Sequence, residues 1–435
     1  MIRLARPLKK KVGSKLLRIC FVTIFLTCVC FVRLSLKPLD YHDEKLNEIS
    51  SNDFGGFKTF LDGSTETARR NLIIVSHGRS GSTLTGDIFN HHPSVFYMYE
   101  PLQTAQRVHK KNTNQTSYNR LAGELLASLV RCRFDQPQML ADIESYYRKP
   151  AHPRVSHAMG SPPLCPYEMK DPRWSPERCP PMSNQFLGGV CKDKYDITVL
   201  KILLSRIPEN NMKTVLTACN SQDVDCKIIF LVRDPRAVIP SSLQIGFFKE
   251  QGGSDSKLGT RVYSYALCQQ TEKNLELVRK LPDSLRARIK LLRYEDLAME
   301  PLKTLDRLYN FAGLPVLDSI RAWLNETTQQ SRKACNRELD GPLVTCTKDD
   351  AWAAANRWRW KVHPHEINMI EHYCRGTMRL MGYRPVDMSH DLLANDKIPL
   401  FSDDYEAKHW FLNNSTREDS RISDYQNLYY KQGCH

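Results

Sequence analysis

The sequence of 435 residues lacks an internal repeat, and none of its 14 cysteines lies in a CxxC pair or a Cys/His spacing typical of zinc sites. These absences exclude repeat proteins and the common structural zinc modules. The composition, with 41% hydrophobic and 25% charged residues, excludes wholesale disorder, a collagen and a polytopic channel. The length suffices for one large domain or two average ones. The net charge of +14 leaves a nucleic-acid binder, a membrane-surface protein or an enzyme for anionic substrates.

Acidic residues are absent from positions 1–37, although this segment carries nine of the basic ones. They are Arg3, Arg6, Lys9, Lys10, Lys11, Lys15, Arg18, Arg33 and Lys37. The rest of the chain therefore carries only +5. Positions 19–32 form an uncharged run, ICFVTIFLTCVCFV, and flanking leucines extend it. With Arg18 and Arg33 at the interfaces, about 21 residues are available, which is enough to span a bilayer.

The apolar run is not followed by a small-x-small cleavage motif. We therefore expect a retained transmembrane signal-anchor over 16–36, with a cleaved signal peptide as the alternative. Because the basic cluster precedes the run, residues 1–15 should form a cytosolic tail and the remainder should enter the lumen. Four sequons agree with this topology, beginning at Asn114, Asn325, Asn413 and Asn414. A lumenal location and the modest lumenal charge disfavour nucleic-acid binding.

The number of cysteines outside the apolar run is odd. Three of the 14 cysteines (Cys20, Cys28 and Cys30) lie in the run, which leaves eleven. At least one of these is then free or pairs between chains. In an oxidising compartment the close pairs are plausible disulfides: Cys165/Cys179, Cys219/Cys226 and Cys335/Cys346.

Beyond the anchor, the chain divides into a stem, a domain and an extension. Residues 37–70 are polar and acidic with Gly and Ser, which predicts a stem that holds the domain off the membrane. Residues 71–386 form the predicted lumenal domain, and 387–435 a C-terminal extension. Strand candidates at 72–76, 199–204, 228–232 and 289–292 alternate with amphipathic stretches, which indicates a parallel sheet flanked by helices. Residues 148–190, rich in Pro, Gly and Cys, predict an irregular insertion.

The segment LIIVSHGRSGSTLTGDIFNHHP predicts an anion site. A buried strand runs into the turn formed by Arg79, Ser80, Gly81, Ser82 and Thr83, and a helix follows. Glycines allow a tight strand-to-helix turn whose amides point at an anion, and hydroxyls and a guanidinium add to the site. A capped Gly/Ser turn without ligand is the alternative. No Lys follows Gly81, so the loop lacks the residue that reaches a γ-phosphate in nucleotide kinases and ATPases.

The segment CKIIFLVRDPRAVIPSSLQ predicts a second anion contact. Arg233 ends a buried strand, at the edge where parallel sheets bind ligands, and Ser241 lies eight residues on in the next helix. Together they could grip a separate phosphate. The alternative is a structural ion pair between Arg233 and Asp234 or Glu295.

These two loops together resemble a known family. RSGST and LVRDPR, with Ser eight residues after its first Arg, are similar to the 5′-phosphosulfate and 3′-phosphate sites of sulfotransferases. FYMYEPL, LLRYEDLAMEPLKTLDRLYNFAGLP and NRWRWKV extend the resemblance to the Golgi carbohydrate 6-O-sulfotransferases, which act on galactose, N-acetylglucosamine or N-acetylgalactosamine.

The resemblance implies a P-loop-like sulfotransferase fold and the co-substrate 3′-phosphoadenosine 5′-phosphosulfate, without a metal. It implies that the first loop, residues 79–83, holds the 5′-phosphosulfate, and that Arg233 and Ser241 hold the 3′-phosphate. It further implies a single-pass type II protein of the Golgi membrane, with the catalytic domain in the lumen and a glycan or proteoglycan as acceptor. A homodimer is possible.

For the catalytic base, the resemblance points to Glu100, because related sulfotransferases carry a Glu at a similar distance from the loop. Its apolar neighbours would raise its pKa towards the working range; the alternative is an exposed capping Glu before Pro101. Arg79 and the loop amides would stabilise the leaving phosphate. His77 is an alternative base, or a local structural residue. Lys201 either points a charge at the donor or is solvated at the end of a strand.

Two further motifs remain open between structure and binding. The RYED motif at 293–296 follows a buried strand and favours ordering of the core over substrate contact. Trp358, Arg359 and Trp360 alternate aromatic and basic side chains, which suits either a sugar or nucleotide contact or core packing.

The leading function is transfer of sulfate to a sugar 6-hydroxyl in a chondroitin- or keratan-type glycosaminoglycan or a related glycan. A tyrosylprotein sulfotransferase has a similar first loop and is the alternative enzyme. A catalytically inactive lumenal glycan-binding protein is the alternative from another class, and the intact Arg79, Arg233, Ser241 and Glu100 argue against it.

Overall fold

The computed structural model describes residues 68–111, 117–147, 156–169, 171–246, 256–329, 351–395 and 397–411. All of them fall in one compact unit, which spans 66–435. The predicted cytosolic tail, the predicted anchor and the stem up to residue 67 lie outside the described residues, as do the possible Cys335/Cys346 disulfide and the sequons at 114, 413 and 414. Within these described ranges, no helix combines the length and apolar character needed to cross a membrane.

Five parallel strands form a single sheet, which confirms the predicted arrangement. They are β1 (Arg69–Ser76), β2 (Val95–Tyr99), β3 (Ile197–Leu203), β4 (Val224–Val232) and β5 (Ile289–Arg293). The spatial order is β2-β3-β1-β4-β5, so β1 is central and β2 and β5 are the edges. In the register, Ile73 of β1 lies opposite Leu200 of β3 and Ile228 of β4.

Helices occupy most of the remaining described chain. They are α1 (Ser82–Asn90), α2 (Leu102–Lys111), α3 (Tyr118–Leu129), α4 (Pro137–Tyr147), α5 (His157–Gly160), α6 (Asn184–Gly189), α7 (Lys213–Ala218), α8 (Pro235–Gln244), α9 (Ser256–Arg279), α10 (Asp283–Arg286), α11 (Tyr294–Met299), α12 (Pro301–Ala312), α13 (Asp318–Gln329), α14 (Ala351–Asn356), α15 (Trp358–Lys361), α16 (Pro364–Tyr373), α17 (Arg375–Met381), α18 (His390–Ala394) and α19 (Glu406–Trp410).

The sheet is buried on both faces, which explains why its strands are runs of apolar residues rather than alternating patterns. Leu72 and Ile74 of β1 point into a core that also contains residues of α1, α12 and α13. Ile73 and Val75 point to the opposite face and are equally inaccessible to solvent. Because all strands are parallel, their carboxyl ends share one edge, and the loops that carry the candidate site leave the sheet there.

Four disulfides cross-link the described part of the domain, two over short and two over long separations in sequence. Cys165–Cys179 and Cys219–Cys226 confirm two of the predicted pairs. Cys132–Cys191 and Cys268–Cys374 were not foreseen, since their partners lie 59 and 106 residues apart. In the described part of the predicted irregular insertion, α5 and α6 are short helices linked by turns and a 3₁₀ segment.

The chain beyond residue 386 packs against the domain as far as it is described. The Arg293 guanidinium donates to the carbonyl of Ser402 (2.7 Å), and Tyr383 pairs with Phe401 in an antiparallel bridge. Arg359 donates to the carbonyls of Asn395 (2.6 Å) and Ile398 (2.7 Å). Two buried arginines therefore fix this part of the chain through its backbone.

Candidate functional site

The first loop turns sharply between β1 and α1. Arg79 and Gly81 have positive φ angles of 68° and 83°, and Gly81 is the residue that precedes the helix. A Cβ atom on Gly81 would lie 2.1 Å from the ring of Tyr294, so no larger residue fits there. The glycine is thus required both by the backbone conformation and by the close approach of an aromatic ring from the end of β5.

The structure brings the first loop and the LVRDPR segment together. The Arg79 Nε donates to the Ser241 hydroxyl of α8 at 2.9 Å, and the Arg233 Nη1 donates to the carbonyl of Arg79 at 3.0 Å. The Arg233 guanidinium also lies over the Tyr294 ring, 4.4 Å from its centroid. Arg79, Arg233 and Ser241 therefore form one cluster at the carboxyl ends of β1 and β4, where two guanidinium groups and a hydroxyl can donate to an anion.

The possible structural ion pair of Arg233 is not formed. Asp234 instead accepts from Arg236, at 2.7 Å, and its side chain also accepts from the Arg236 amide to cap α8. The guanidinium of Arg233 binds two carbonyls, those of Arg79 and, at 2.6 Å, Ala354. No carboxylate neutralises it through an ion pair among the described residues.

Positive charge is concentrated at this cluster. Burial lowers the pKa of Arg79, and the neighbouring charges of Arg233 and Arg357 lower it further. Such mutual repulsion disfavours the cluster alone and favours it when an anion is bound. Arg357 was not singled out from the sequence, because only the fold carries residue 357 to the end of β1.

The remaining loop residues differ in exposure. Ser80 and Ser82 are buried, at 1% and 4% of their surface, whereas Thr83 is exposed. The amides of the first turn of α1 are oriented by the helix, and Thr85 closes the turn by donating to the Gly81 carbonyl at 3.2 Å. The loop can therefore offer backbone amides, with Thr83 as the accessible hydroxyl.

Glu100 lies at the end of β2 and is buried, with 5% of its surface exposed. Its carboxylate is ion-paired with Lys201 of β3 and with Arg206, whose Nη1 lies 2.7 Å from the other oxygen. Gln103 also donates to it at 2.7 Å. Its φ of 48° places it in the left-handed region, and its amide donates to the Lys201 carbonyl (2.8 Å). The exposed capping role is therefore excluded.

The expectation that apolar neighbours raise the pKa of Glu100 is wrong. Burial by itself would raise this pKa, but the charges of Lys201 and Arg206 outweigh burial and lower it to about 2. Lys201 is itself buried, with 2% of its surface exposed, so it is not a solvated residue at the end of a strand. The sequence signal that could have found this pair is the single Lys within the apolar run of β3.

The RYED motif supports the first loop and Arg233 through contacts of Tyr294 and Glu295. Tyr294 contacts both Gly81 and Arg233, while the buried carboxylate of Glu295 accepts from the Asp234 amide (3.1 Å) and from the Tyr383 hydroxyl (2.9 Å). Burial, reinforced by the charge of Asp234, raises the pKa of Glu295 to about 7. The expected structural role of the motif agrees with these contacts.

His77, which precedes the first loop, is buried against α9. Its Nε2 lies 3.0 Å from the Thr271 hydroxyl of α9, and burial lowers its pKa to about 4. The imidazole is therefore neutral near neutral pH and packed into the domain, which favours the local structural role over that of a base.

The family described as "Sulfotransferase domain" matches residues 69–382, which include Arg79, Glu100, Arg233 and Ser241. The chain belongs to this sulfotransferase family. The resemblance drawn from the five sequence motifs is thereby confirmed.

Curated sulfotransferases match over most of the chain. Mouse carbohydrate sulfotransferase 5 is 27% identical over 342 residues, and the match covers 75% of this chain and 85% of the mouse protein. Human carbohydrate sulfotransferase 6 is 28% identical over 341 residues, covering 73% and 82%. Among solved structures, the sulfotransferase domain of the Synechococcus PCC 7002 olefin synthase is 18% identical, with a TM-score of 0.37, and covers 73% of this chain and 98% of its own.

Proposed function

We propose that the protein transfers the sulfuryl group of 3′-phosphoadenosine 5′-phosphosulfate to the 6-hydroxyl of a sugar in a chondroitin- or keratan-type glycosaminoglycan or a related glycan. The observation that carries the proposal is the hydrogen-bonded cluster of Arg79, Arg233 and Ser241, with the buried Glu100 on the same edge of the sheet. Carbohydrate acceptors are supported by the names of the relatives, and the 6-hydroxyl by the motif resemblance.

The residues present fit a donor with two phosphate-bearing ends. The Arg233 Nε is buried and has no hydrogen-bond partner, so the guanidinium retains a donor for a ligand. Arg79 and the first-turn amides of α1 would hold the 5′-phosphosulfate, and Arg233 with Ser241 the 3′-phosphate. The bound donor supplies a sulfuryl group joined to a phosphate leaving group.

The chemistry assigned to the chain is electrostatic stabilisation and proton acceptance. Arg79 and the loop amides are fixed before reaction and face the negative charge that grows on the leaving phosphate. Glu100 accepts the proton of the sugar hydroxyl. Because its pKa is about 2, it is a weak base and contributes most late in the transfer, once bonding to sulfur has made that hydroxyl acidic.

The proposed location is the Golgi membrane, with a type II topology and a lumenal catalytic domain. The four disulfides among the described residues support an oxidising compartment.

The donor site is tested by Arg233→Ala in the full-length protein, with adenosine 3′,5′-bisphosphate as the ligand in calorimetry. We expect its affinity to fall about 100-fold, since a charge-assisted contact is lost. Arg288→Ala is the matched control, because Arg288 is 41% exposed and its nearest carboxylate, on Asp225, is 3.9 Å away. Equal affinity of the Arg233 variant and the control would refute the donor site.

The acceptor is tested with radiolabelled donor, a panel of desulfated glycans and a Tyr-rich acidic peptide. We expect label on a glycan. Label on the peptide alone would identify a tyrosylprotein sulfotransferase, and no label on any acceptor would indicate an inactive glycan-binding protein.

A further inference from the structure

Two tryptophans on the short helix α15 lie in opposite environments. Trp358 is 5% exposed and packs under the Arg236 guanidinium, 4.3 Å from the ring centroid. Trp360, two residues later, is 51% exposed. The sequence left core packing and sugar contact open for this motif. The structure places Trp358 in the core, whereas Trp360 is accessible to a ligand.

Helix α15 follows directly on a segment that contacts the cluster of Arg79, Arg233 and Ser241, called the donor cluster below. The Ala354 carbonyl, in α14, accepts from Arg233 at 2.6 Å, and the charge of Arg357 acts on Arg79. The amides of Trp360 (3.4 Å) and Lys361 (3.2 Å) both donate to the Arg357 carbonyl, so these residues lie one helical turn beyond Arg357. Residues three and four apart share a helix face, so Trp360 and Lys361 lie on the same side of the chain as Arg357, whose charge acts on Arg79.

The charge of the segment that carries α15 is of one sign. Residues 351–365 contain no Asp or Glu. Arg359 points inwards, towards the carbonyls of Asn395 and Ile398, whereas Lys361 is exposed beside Trp360. An exposed indole flanked by cations is complementary to a ring with apolar C–H faces and an anionic substituent. A sugar that carries a carboxylate or a sulfate has this chemistry.

We propose that Trp360 and Lys361 form an acceptor subsite that holds an anionic sugar residue adjacent to the sugar that receives the sulfate. The indole stacks on the sugar ring, and the Lys361 ammonium pairs with its carboxylate or sulfate. This inference rests on the proposed sulfation of a glycan and adds to it that the acceptor is an anionic chain.

The test compares full-length Trp360→Ala, Trp360→Phe and Lys361→Glu with the unaltered protein. Initial rates are measured on chondroitin, which has a uronate in every disaccharide, and on desulfated keratan, which has no charge. Tyr265→Ala is the matched control, because Tyr265 is an aromatic of similar exposure (54%) on α9. Donor affinity is followed in parallel with adenosine 3′,5′-bisphosphate.

Trp360→Ala should raise the KM for chondroitin about 10-fold, the loss expected for one aromatic stacking contact, with kcat and donor affinity unchanged. Trp360→Phe should recover most of the loss because the aromatic face remains. Lys361→Glu should raise the KM for chondroitin and leave that for desulfated keratan unchanged.

Three outcomes overturn the subsite while leaving sulfation of glycans intact. One is an unchanged KM for chondroitin in Trp360→Ala, as in Tyr265→Ala. The second is a loss of donor affinity in the Trp360 variants, which would place the indole against the nucleotide. The third is sulfation of desulfated keratan but not chondroitin by the unaltered protein. Absence of label on every glycan would instead overturn the proposed function, and the subsite with it.

Discussion

Glu100 and Glu295 are two buried glutamates that follow the two edge strands of the sheet, β2 and β5. They are equally hidden from solvent, with 5% and 4% of their surfaces exposed. Their pKa values nevertheless move in opposite directions, to about 2 for Glu100 and about 7 for Glu295. The difference lies in the partners, because Glu100 has Lys201 and Arg206, whereas Glu295 has an amide, a phenol and the nearby negative charge of Asp234.

Burial alone therefore does not determine the charge of a carboxyl group in this domain. Two cations keep Glu100 ionised, as its proposed role of proton acceptor requires, whereas Glu295, near the Arg233 cluster, is partly protonated at neutral pH. A partly protonated Glu295 also leaves the positive charge of Arg233 more available to an anionic ligand.

The largest expected effect is on turnover. Glu100→Gln should lower kcat by 10²- to 10⁴-fold, roughly the contribution of a general base. Glu295→Gln should keep kcat within a few-fold, because the amide retains the shape and polarity of a neutral carboxyl. Steady-state sulfate transfer measures both, with the affinity for adenosine 3′,5′-bisphosphate as the check that each variant is folded. A kcat loss as large in Glu295→Gln would break the distinction between the two residues.

The second expected effect is on stability. Glu100→Gln leaves Lys201 buried without its counter-charge, which should cost about 3–5 kcal/mol of unfolding free energy. Adding Lys201→Met should recover a large part of that cost, since neither charge is then buried unpaired. Urea denaturation of the single and double variants measures the coupling. Strictly additive losses in the double variant would show that the ion pair is not the cause.

The smallest expected effect is the pH dependence of stability. The folded-state pKa of Glu295 is raised from 4.5 to about 7, so the folded state holds a proton that the unfolded state has released in this window. Its contribution is present below pH 4.5 and should be lost as pH rises to 7, by about 3 kcal/mol. Glu295→Gln should remove this slope.

The pH dependence of stability expected from Glu100 has the opposite sign. Its folded-state pKa is lowered, so its stabilising contribution is present above pH 4.5 and is lost as pH falls towards 2. Urea midpoints of the unaltered protein and Glu295→Gln, measured between pH 4.5 and 8, isolate the Glu295 slope, because the Glu100 slope lies below pH 4.5. Parallel curves across this window would contradict the assignment to Glu295.

Much of the fold followed from local sequence patterns. The apolar runs of β1, β3, β4 and β5 identify strands that are buried on both faces, and their alternation with helical stretches predicts the parallel sheet. The loop from Arg79 to Thr83 and the Arg233 segment were recognisable because strand, turn and helix signals occur within about 20 residues. The direct contact between these loops was not predicted, although both leave parallel strands at the same edge of the sheet.

Contacts between distant segments could not be read from the sequence. The pairing of Glu100 with Lys201 joins residues 101 apart, and Cys268–Cys374 closes 106 residues. Arg357 reaches the donor cluster only because α14 and α15 pack there. Sequence periodicity reports which residues are buried but not which distant charge lies beside them, and the sign of the Glu100 pKa shift depends on that charge.

The contact of Tyr294 with Gly81 makes the final shape of the first loop depend on a much later part of the chain. These residues are roughly 200 positions apart, and β5, which delivers Tyr294, joins the sheet beyond β4. During synthesis, β1 and its loop emerge long before the ring against which they close. We therefore expect the first loop to reach its final shape only after β5 has docked, so that binding of adenosine 3′,5′-bisphosphate during refolding should report completion of the sheet rather than its nucleation.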